Sequence, residues 1–240
     1  MDKETSLGHI PNDKWAFDDG VTSIFVDMLE RSIPSYNVMR ELTFKIGSRF
    51  VKQGTDIIDI GPSRGDAISP FIDKFGAYNR YTMIETSKPM INVLNERFKY
   101  LQESNIVKVI DCDLRETFPV TKNTSLLLSI LTLQFIPIEY RQFVMDKIYS
   151  TLIPGGAAIV VEKVLGESYA TNDILIDEYL QFKVDNGYSR DDVDRKKMSL
   201  QCVLVPLQPS WNENMFSGSG FKHVDCFYKH LNFMGWILIK

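Results

Sequence analysis

The sequence predicts an α/β fold: one mostly parallel sheet of seven strands with helices on both faces. Three observations predict it. Short apolar runs alternate with amphipathic stretches of helical length between Thr55 and Val161. A glycine-containing turn, Gly61 to Gly65, follows the first run. Two strand-like runs near the C-terminus, His223 to His230 and Phe233 to Lys240, are separated only by Leu231-Asn232. That spacing forces an antiparallel hairpin.

Each element has its own signal. Residues 1–14 read as a mobile polar leader. Residues 20–51 read as two helices broken at Ile33-Pro34. In the second, Val38, Leu42, Ile46 and Phe50 recur at helical spacing and predict an inward stripe. Thr55 to Ile60 is a buried strand, and Asp66 to Phe75 a helix with Gly76 as its C-cap. Arg80 to Ile84 is the second strand. Ser87 and Pro89 open a helix carrying Met90, Leu94, Phe98 and Leu101 on one face. Ile106 to Ile110 and Leu126 to Ile130 are the third and fourth strands. Ile138 to Leu152 is a helix with Tyr140, Val144, Ile148 and Leu152 inward, followed by a Pro154-Gly155-Gly156 turn and a fifth strand, Ala157 to Val161. An insertion at 164–220 looks helical at Asp173 to Asp185 and Arg190 to Val203. Residues 1–51 are thus a leader and cover helices, 52–240 the ligand-binding unit, and the whole one structural domain.

Composition narrows the function classes. The 240 residues carry a net charge of −4 and are 44% hydrophobic. That suits a large core and argues against broad electrostatic binding of nucleic acid. Cys112, Cys202 and Cys226 are far apart and read as reduced thiols of a cytoplasmic protein. The histidines make no zinc-ligand pair, so no metal site is expected. No signal-peptide core and no apolar run long enough to span a bilayer is seen.

Asp59-Ile60-Gly61-Pro62-Ser63-Arg64-Gly65 sits at a strand-to-helix turn, where small residues let backbone approach a ligand. Alone it is a weak signal. Glu85, with Thr86 beside it, ends the next strand 24 positions after Gly61 and suits both hydroxyls of a ribose. Asp113 and Leu114 follow the third strand and suit an adenine amino group and ring face. All lie on one edge of the expected sheet, as a three-point nucleoside site. Ribose recognition fits NAD as well as S-adenosylmethionine (SAM). Five parallel strands followed by a terminal hairpin are the layout of Rossmann-like class I methyltransferases, which favours SAM.

Several segments carry a resemblance. They are Phe17-Asp18-Asp19, Arg31-Ser32-Ile33-Pro34-Ser35-Tyr36, Asp59-Ile60-Gly61, Pro89-Met90-Ile91, Thr132-Leu133-Gln134-Phe135, Asp146-Lys147-Ile148-Tyr149, Pro154-Gly155-Gly156, Glu162-Lys163 and Asn186-Gly187-Tyr188-Ser189. From about residue 15 to the C-terminus the chain resembles the bacterial carboxy-S-adenosyl-L-methionine synthases, formerly classed as tRNA methyltransferases. The resemblance implies a class I methyltransferase sheet, a homodimer, a SAM-derived cofactor and prephenate as carboxyl source. It implies cofactor contacts from Tyr36, Gly61, Ser63, Glu85, Asp113 and Leu114. Three positions depart from the family pattern. Gly61-Pro62-Ser63 replaces Gly-Cys-Ser, Ile130 replaces an asparagine at the site floor, and Lys197 stands where an arginine grips the carboxylate of carboxy-SAM.

Candidates near the reacting methyl are Tyr36, Tyr188, Glu162 and Lys197, the tyrosines as acid–base groups and Lys197 as a clamp for an acidic substrate. Taken together these features predict SAM-dependent methyl transfer to a small-molecule acceptor. Carboxy-SAM synthesis from SAM and prephenate is the second reading, and a non-catalytic SAM-binding module the third.

Overall fold

A computed structural model describes residues 14–119 and 121–240. Residues 1–13 of the expected leader lie outside them. The chain enters through α1 (Asp19–Ser32), whose N-cap Asp18 accepts from the Val21 amide at 2.8 Å. It breaks at Ile33-Pro34 and resumes as α2 (Tyr36–Gly47). The break is pinned from the far end of the chain. The Tyr228 hydroxyl donates to the Pro34 carbonyl, and Ser35 Oγ lies 2.9 Å from His230 Nδ1.

The inward face of α2 differs from the expected stripe. Tyr36, Met39, Thr43 and Gly47 are buried, whereas Val38 is 52% exposed. The helix packs closely where Gly47 meets Phe71 and Ile159, and that close approach sets the buried face to Tyr36, Met39, Thr43 and Gly47 instead of the Val38 stripe.

Seven strands follow in alternation with helices: β1 (Asp56–Ile60), α3 (Ser69–Phe75), β2 (Arg80–Glu85), α4 (Lys88–Arg97), α5 (Lys99–Glu103), β3 (Val107–Asp111), β4 (Thr124–Ile130), α6 (Ile138–Thr151), β5 (Leu152–Lys163), α7 (Tyr169–Asp185), α8 (Arg190–Leu200), α9 (Pro209–Gly218), β6 (His223–His230) and β7 (Phe233–Ile239). They form one sheet in the order β3-β2-β1-β4-β5-β7-β6. Strands β1 to β5 pair in parallel, and β7 runs antiparallel to both neighbours, β5 and β6. The expected sheet and terminal hairpin are therefore present. Both faces of the sheet bury apolar side chains, with Ile58, Leu127 and Val160 in one core and Ile57, Leu126 and Ile159 in the other.

Four local expectations are corrected. Helix α3 starts at Ser69 rather than Asp66, because Pro70 is tolerated only in a first turn. On α6 the inward set is Arg141, Val144, Met145, Ile148 and Thr151, and Tyr140 is exposed. Pro154-Gly155-Gly156 is absorbed into β5, at a register irregularity beside Thr124 to Leu126, instead of forming a separate turn. Helix α8 ends at Leu200, and α9, opened by Pro209, is an additional helix of the insertion. Its inward residues include Asn212, which blurs the apolar period.

Candidate active site

The carboxyl ends of the parallel strands open into a cavity of about 410 Å³, within the roughly 300–1,000 Å³ usual for small-molecule sites. It sits where the strand order reverses, between β1 and β4, the place where open α/β sheets bind ligands. Its cover comes from the N-terminal segment, α1, α2, α7 and α8. Phe17 stacks edge-on with Trp15, Phe25 and Phe135 at 5.1–6.4 Å, giving the cover an aromatic lining.

The turn after β1 is built for close approach. Gly61 has φ +63°, and a Cβ there would meet Thr132 Cγ2 and Oγ1 at 2.6 Å. Thr132 Oγ1 donates to the Ile60 carbonyl at 2.8 Å and so holds the end of β4 against β1. Only glycine fits, and its backbone faces the cavity. Ser63, also left-handed at φ +52°, lines the cavity too. Gly65 does not. Its φ is +77°, and a Cβ would strike Phe98 at 2.6 Å, so this glycine seats the turn on α4 rather than at the cofactor position expected of it.

Glu85 reaches back to the same turn. Its Oε2 accepts from the Ser63 amide at 3.1 Å, and Oε1 from the Thr86 and Ser87 amides at 2.8 and 3.1 Å. Asp113 is held by the Arg115 guanidinium, which keeps its carboxyl below the usual range and ionised. Leu114 is buried beside it, and Ile130 lines the cavity at the end of β4.

Asp59 faces the same space from β1. It is 1% exposed, and neither carboxylate oxygen has a hydrogen-bond partner. Burial pushes its pKa up to about 8, with Arg40 opposing and Glu85 and Asp66 adding to the rise. An orphaned acid, a bare Gly61 backbone and acceptors after β2 and β3 fit a nucleoside joined to a cationic amino acid, as in SAM. In that fit Glu85 would take the ribose, Asp113 the adenine amino group and Asp59 the ammonium.

The candidates for chemistry separate. Tyr36 lines the cavity, and burial raises its pKa. Tyr188 is buried outside the lining, its hydroxyl 3.5 Å from Ser32 Oγ. Lys197 is exposed and does not line the cavity; helical register instead turns its neighbour Lys196 inward. Glu162, also outside the lining, accepts from the Leu133 and Gln134 amides at 3.0 and 2.7 Å. Burial raises its pKa to about 8, against the attraction of Arg141. It anchors the 132–135 turn and makes no lysine salt bridge among the described residues.

Lys163, Lys183, Lys196, Tyr179 and Arg40 line the cavity as well, and sequence reasoning missed them. Two signals were present. Lys163 ends β5 on the same edge as Glu85 and Asp113. Val193, Lys196 and Ser199 share one helical period, which excludes Lys197.

Residues 57–156 match a family described as a methyltransferase domain. The chain is 34% identical over 229 residues to the carboxy-S-adenosyl-L-methionine synthase of Methylococcus capsulatus, covering 95% of this chain and 94% of that one. It is 35% identical to that of Staphylococcus epidermidis, covering 95% and 97%. An O-methyltransferase family protein from Burkholderia thailandensis shares the fold, with a TM-score of 0.65, 12% identity and coverage of 93% of this chain and 60% of that one.

Proposed function

The chain belongs to the carboxy-S-adenosyl-L-methionine synthase family, and from that membership we propose that it makes carboxy-SAM from SAM and prephenate. It is a SAM-dependent enzyme, with SAM or carboxy-SAM as its cofactor.

One observation carries the proposal. Several of the segments that resemble the family contribute to one cavity, through Ser32, Tyr36, Gly61, Gln134 and Lys163. The Leu133 and Gln134 amides hold Glu162, and the Lys163 amide donates to Gln134 Oε1 at 2.7 Å. Ser32 Oγ lies 3.4 Å from Lys196 Nζ and 3.5 Å from the Tyr188 hydroxyl. Thr132-Leu133-Gln134-Phe135 is thus joined to Glu162-Lys163, and Arg31 to Tyr36 is joined to Asn186 to Ser189.

Bound SAM supplies a sulfonium that activates the carbon to be modified. The chain orients it through Glu85, Asp113 and Asp59, and the aromatic cover excludes water. Methyl transfer to a small-molecule acceptor is the second reading. It is favoured by apolar Ile130 at the floor and by the outward position of Lys197.

Mass spectrometry of the ligand that co-purifies, and of the product from SAM and prephenate, decides between them. A species heavier than SAM by one carboxylate is expected. SAM or its demethylated product alone, with a methylated acceptor, overturns the proposal. Catalytic turnover of either kind removes the non-catalytic reading. The same proposal takes the enzyme as a cytoplasmic homodimer, which light scattering tests in solution. Among the described residues, no helix is long and apolar enough to cross a membrane.

A further inference from the structure

Three lysines from three elements line the cavity together with Tyr179. They are Lys163 at the end of β5, Lys183 on α7 and Lys196 on α8. Lys163 Nζ and Lys183 Nζ lie 4.4 and 4.8 Å from the centre of the Tyr179 ring. Lys196 Nζ lies 5.2 Å from the Trp15 ring and 5.5 Å from the Tyr188 ring. Lys183 and Lys196 are only 4% and 6% exposed.

A buried lysine ordinarily faces a carboxylate. None of these three makes an ion pair among the described residues. The buried acids are committed elsewhere. Glu162 is held by two backbone amides with Arg141 as its cation, and Arg40 is the cation that acts on Asp59. Burial lowers the pKa of all three lysines, Lys163 and Lys196 to about 8, and the charges of Lys196 and Lys163 add to the effect at Lys183. Ring contacts do not offset gathering three like charges away from water. The arrangement lacks an anion, and a single carboxylate leaves most of the charge uncompensated.

We propose that Lys163, Lys183 and Lys196 form one anion subsite, walled by Tyr179, that holds the carboxylates of a dianionic second substrate beside the cofactor. This rests on the carboxy-transfer reading for its choice of substrate. The lysines bind and orient the substrate, and no bond to them forms or breaks.

The test is calorimetric titration of prephenate, and separately of malonate, into protein saturated with S-adenosylhomocysteine, which has no methyl to react. Lys163→Met, Lys183→Met and Lys196→Met should each weaken prephenate by about tenfold or more, as loss of a charge-assisted contact does. Affinity for S-adenosylhomocysteine should change by less than about twofold. Lys99→Met, on exposed α5, should alter neither. Unchanged prephenate affinity in the three variants overturns the subsite, and so does an equal loss of S-adenosylhomocysteine, which would give the lysines to the cofactor.

Where a variant does not fold, the wild type decides: prephenate should protect these three lysines from reductive methylation, and equal labelling with and without it overturns the proposal. Lysine-dependent prephenate binding without carboxy-SAM formation would sink the functional reading and leave the subsite standing. Carboxy-SAM formation undiminished by the three substitutions would do the reverse.

Discussion

The Ser63 amide donates to Glu85 Oε2 at 3.1 Å, which fastens the turn after β1 to the acid that ends β2. One carboxylate therefore holds the shape of the glycine turn and is also the group we propose for the ribose. Glu85→Ala should weaken SAM binding by about 1–3 kcal/mol, the cost of removing a hydrogen-bonded partner. Calorimetry measures it, and unchanged affinity would remove Glu85 from the site.

The two glycines of the turn should behave differently. Both have positive φ, and both have a neighbour 2.6 Å from where a Cβ would lie. Gly61→Ala and Gly65→Ala should each destabilise the fold by about 1–3 kcal/mol. Only Gly61 faces the cavity. SAM should therefore raise the melting temperature of Gly65→Ala nearly as it does the wild type, and that of Gly61→Ala much less. The reverse order would place the cofactor at Gly65.

Asp59 makes the ligand-free protein sensitive to pH. Its native pKa is raised to about 8, far above that of the unfolded chain. Between about pH 4 and 8 the native state then holds a proton that the unfolded chain releases, so the stabilisation present at low pH is lost as pH rises. Glu162, also raised to about 8, acts in the same direction. Urea melts at pH 5 and pH 8 should show a smaller loss of stability for Asp59→Asn than for the wild type. An identical slope would mean that Asp59 is ionised in the native state.

Lys197 provides a test of helical register. Lys197→Ala should weaken an acidic substrate less than Lys196→Met does, because only Lys196 lines the cavity. Equal losses, with SAM binding intact in both, would bring Lys197 into the working site.

Tyr36 and Tyr188 divide in the same way. Tyr36→Phe should reduce turnover, since Tyr36 lines the cavity. Among the described residues the Tyr188 hydroxyl has Ser32 Oγ as its hydrogen-bond partner, at a long 3.5 Å, so Tyr188→Phe should stay within about twofold of wild-type turnover. Steady-state kinetics compares the two. A larger loss at Tyr188 would assign it the chemistry instead.

That Gly61, Glu85 and Asp113 line one cavity was legible in the chain. Gly61 and Asp113 each follow a strand and Glu85 ends one, and in a parallel sheet connectivity alone places such residues on one edge. The terminal hairpin was legible for a similar local reason, since two intervening residues permit no other connection. Which way a helix faces is a different matter. Val38 looked inward by apolarity, yet α2 buries Thr43 and Gly47, because contact with the sheet favoured small residues. On α8 a step of one residue separates Lys196 in the cavity from exposed Lys197.

The sequence by itself determined the alternation of strands and helices, the terminal hairpin and the gathering of Gly61, Glu85 and Asp113 at one sheet edge, through patterns a few residues long. Tertiary structure alone decided that Lys163, Lys183 and Lys196 share one cavity with Tyr179. Their nearness comes from packing between elements far apart in the chain, and no local spacing encodes it.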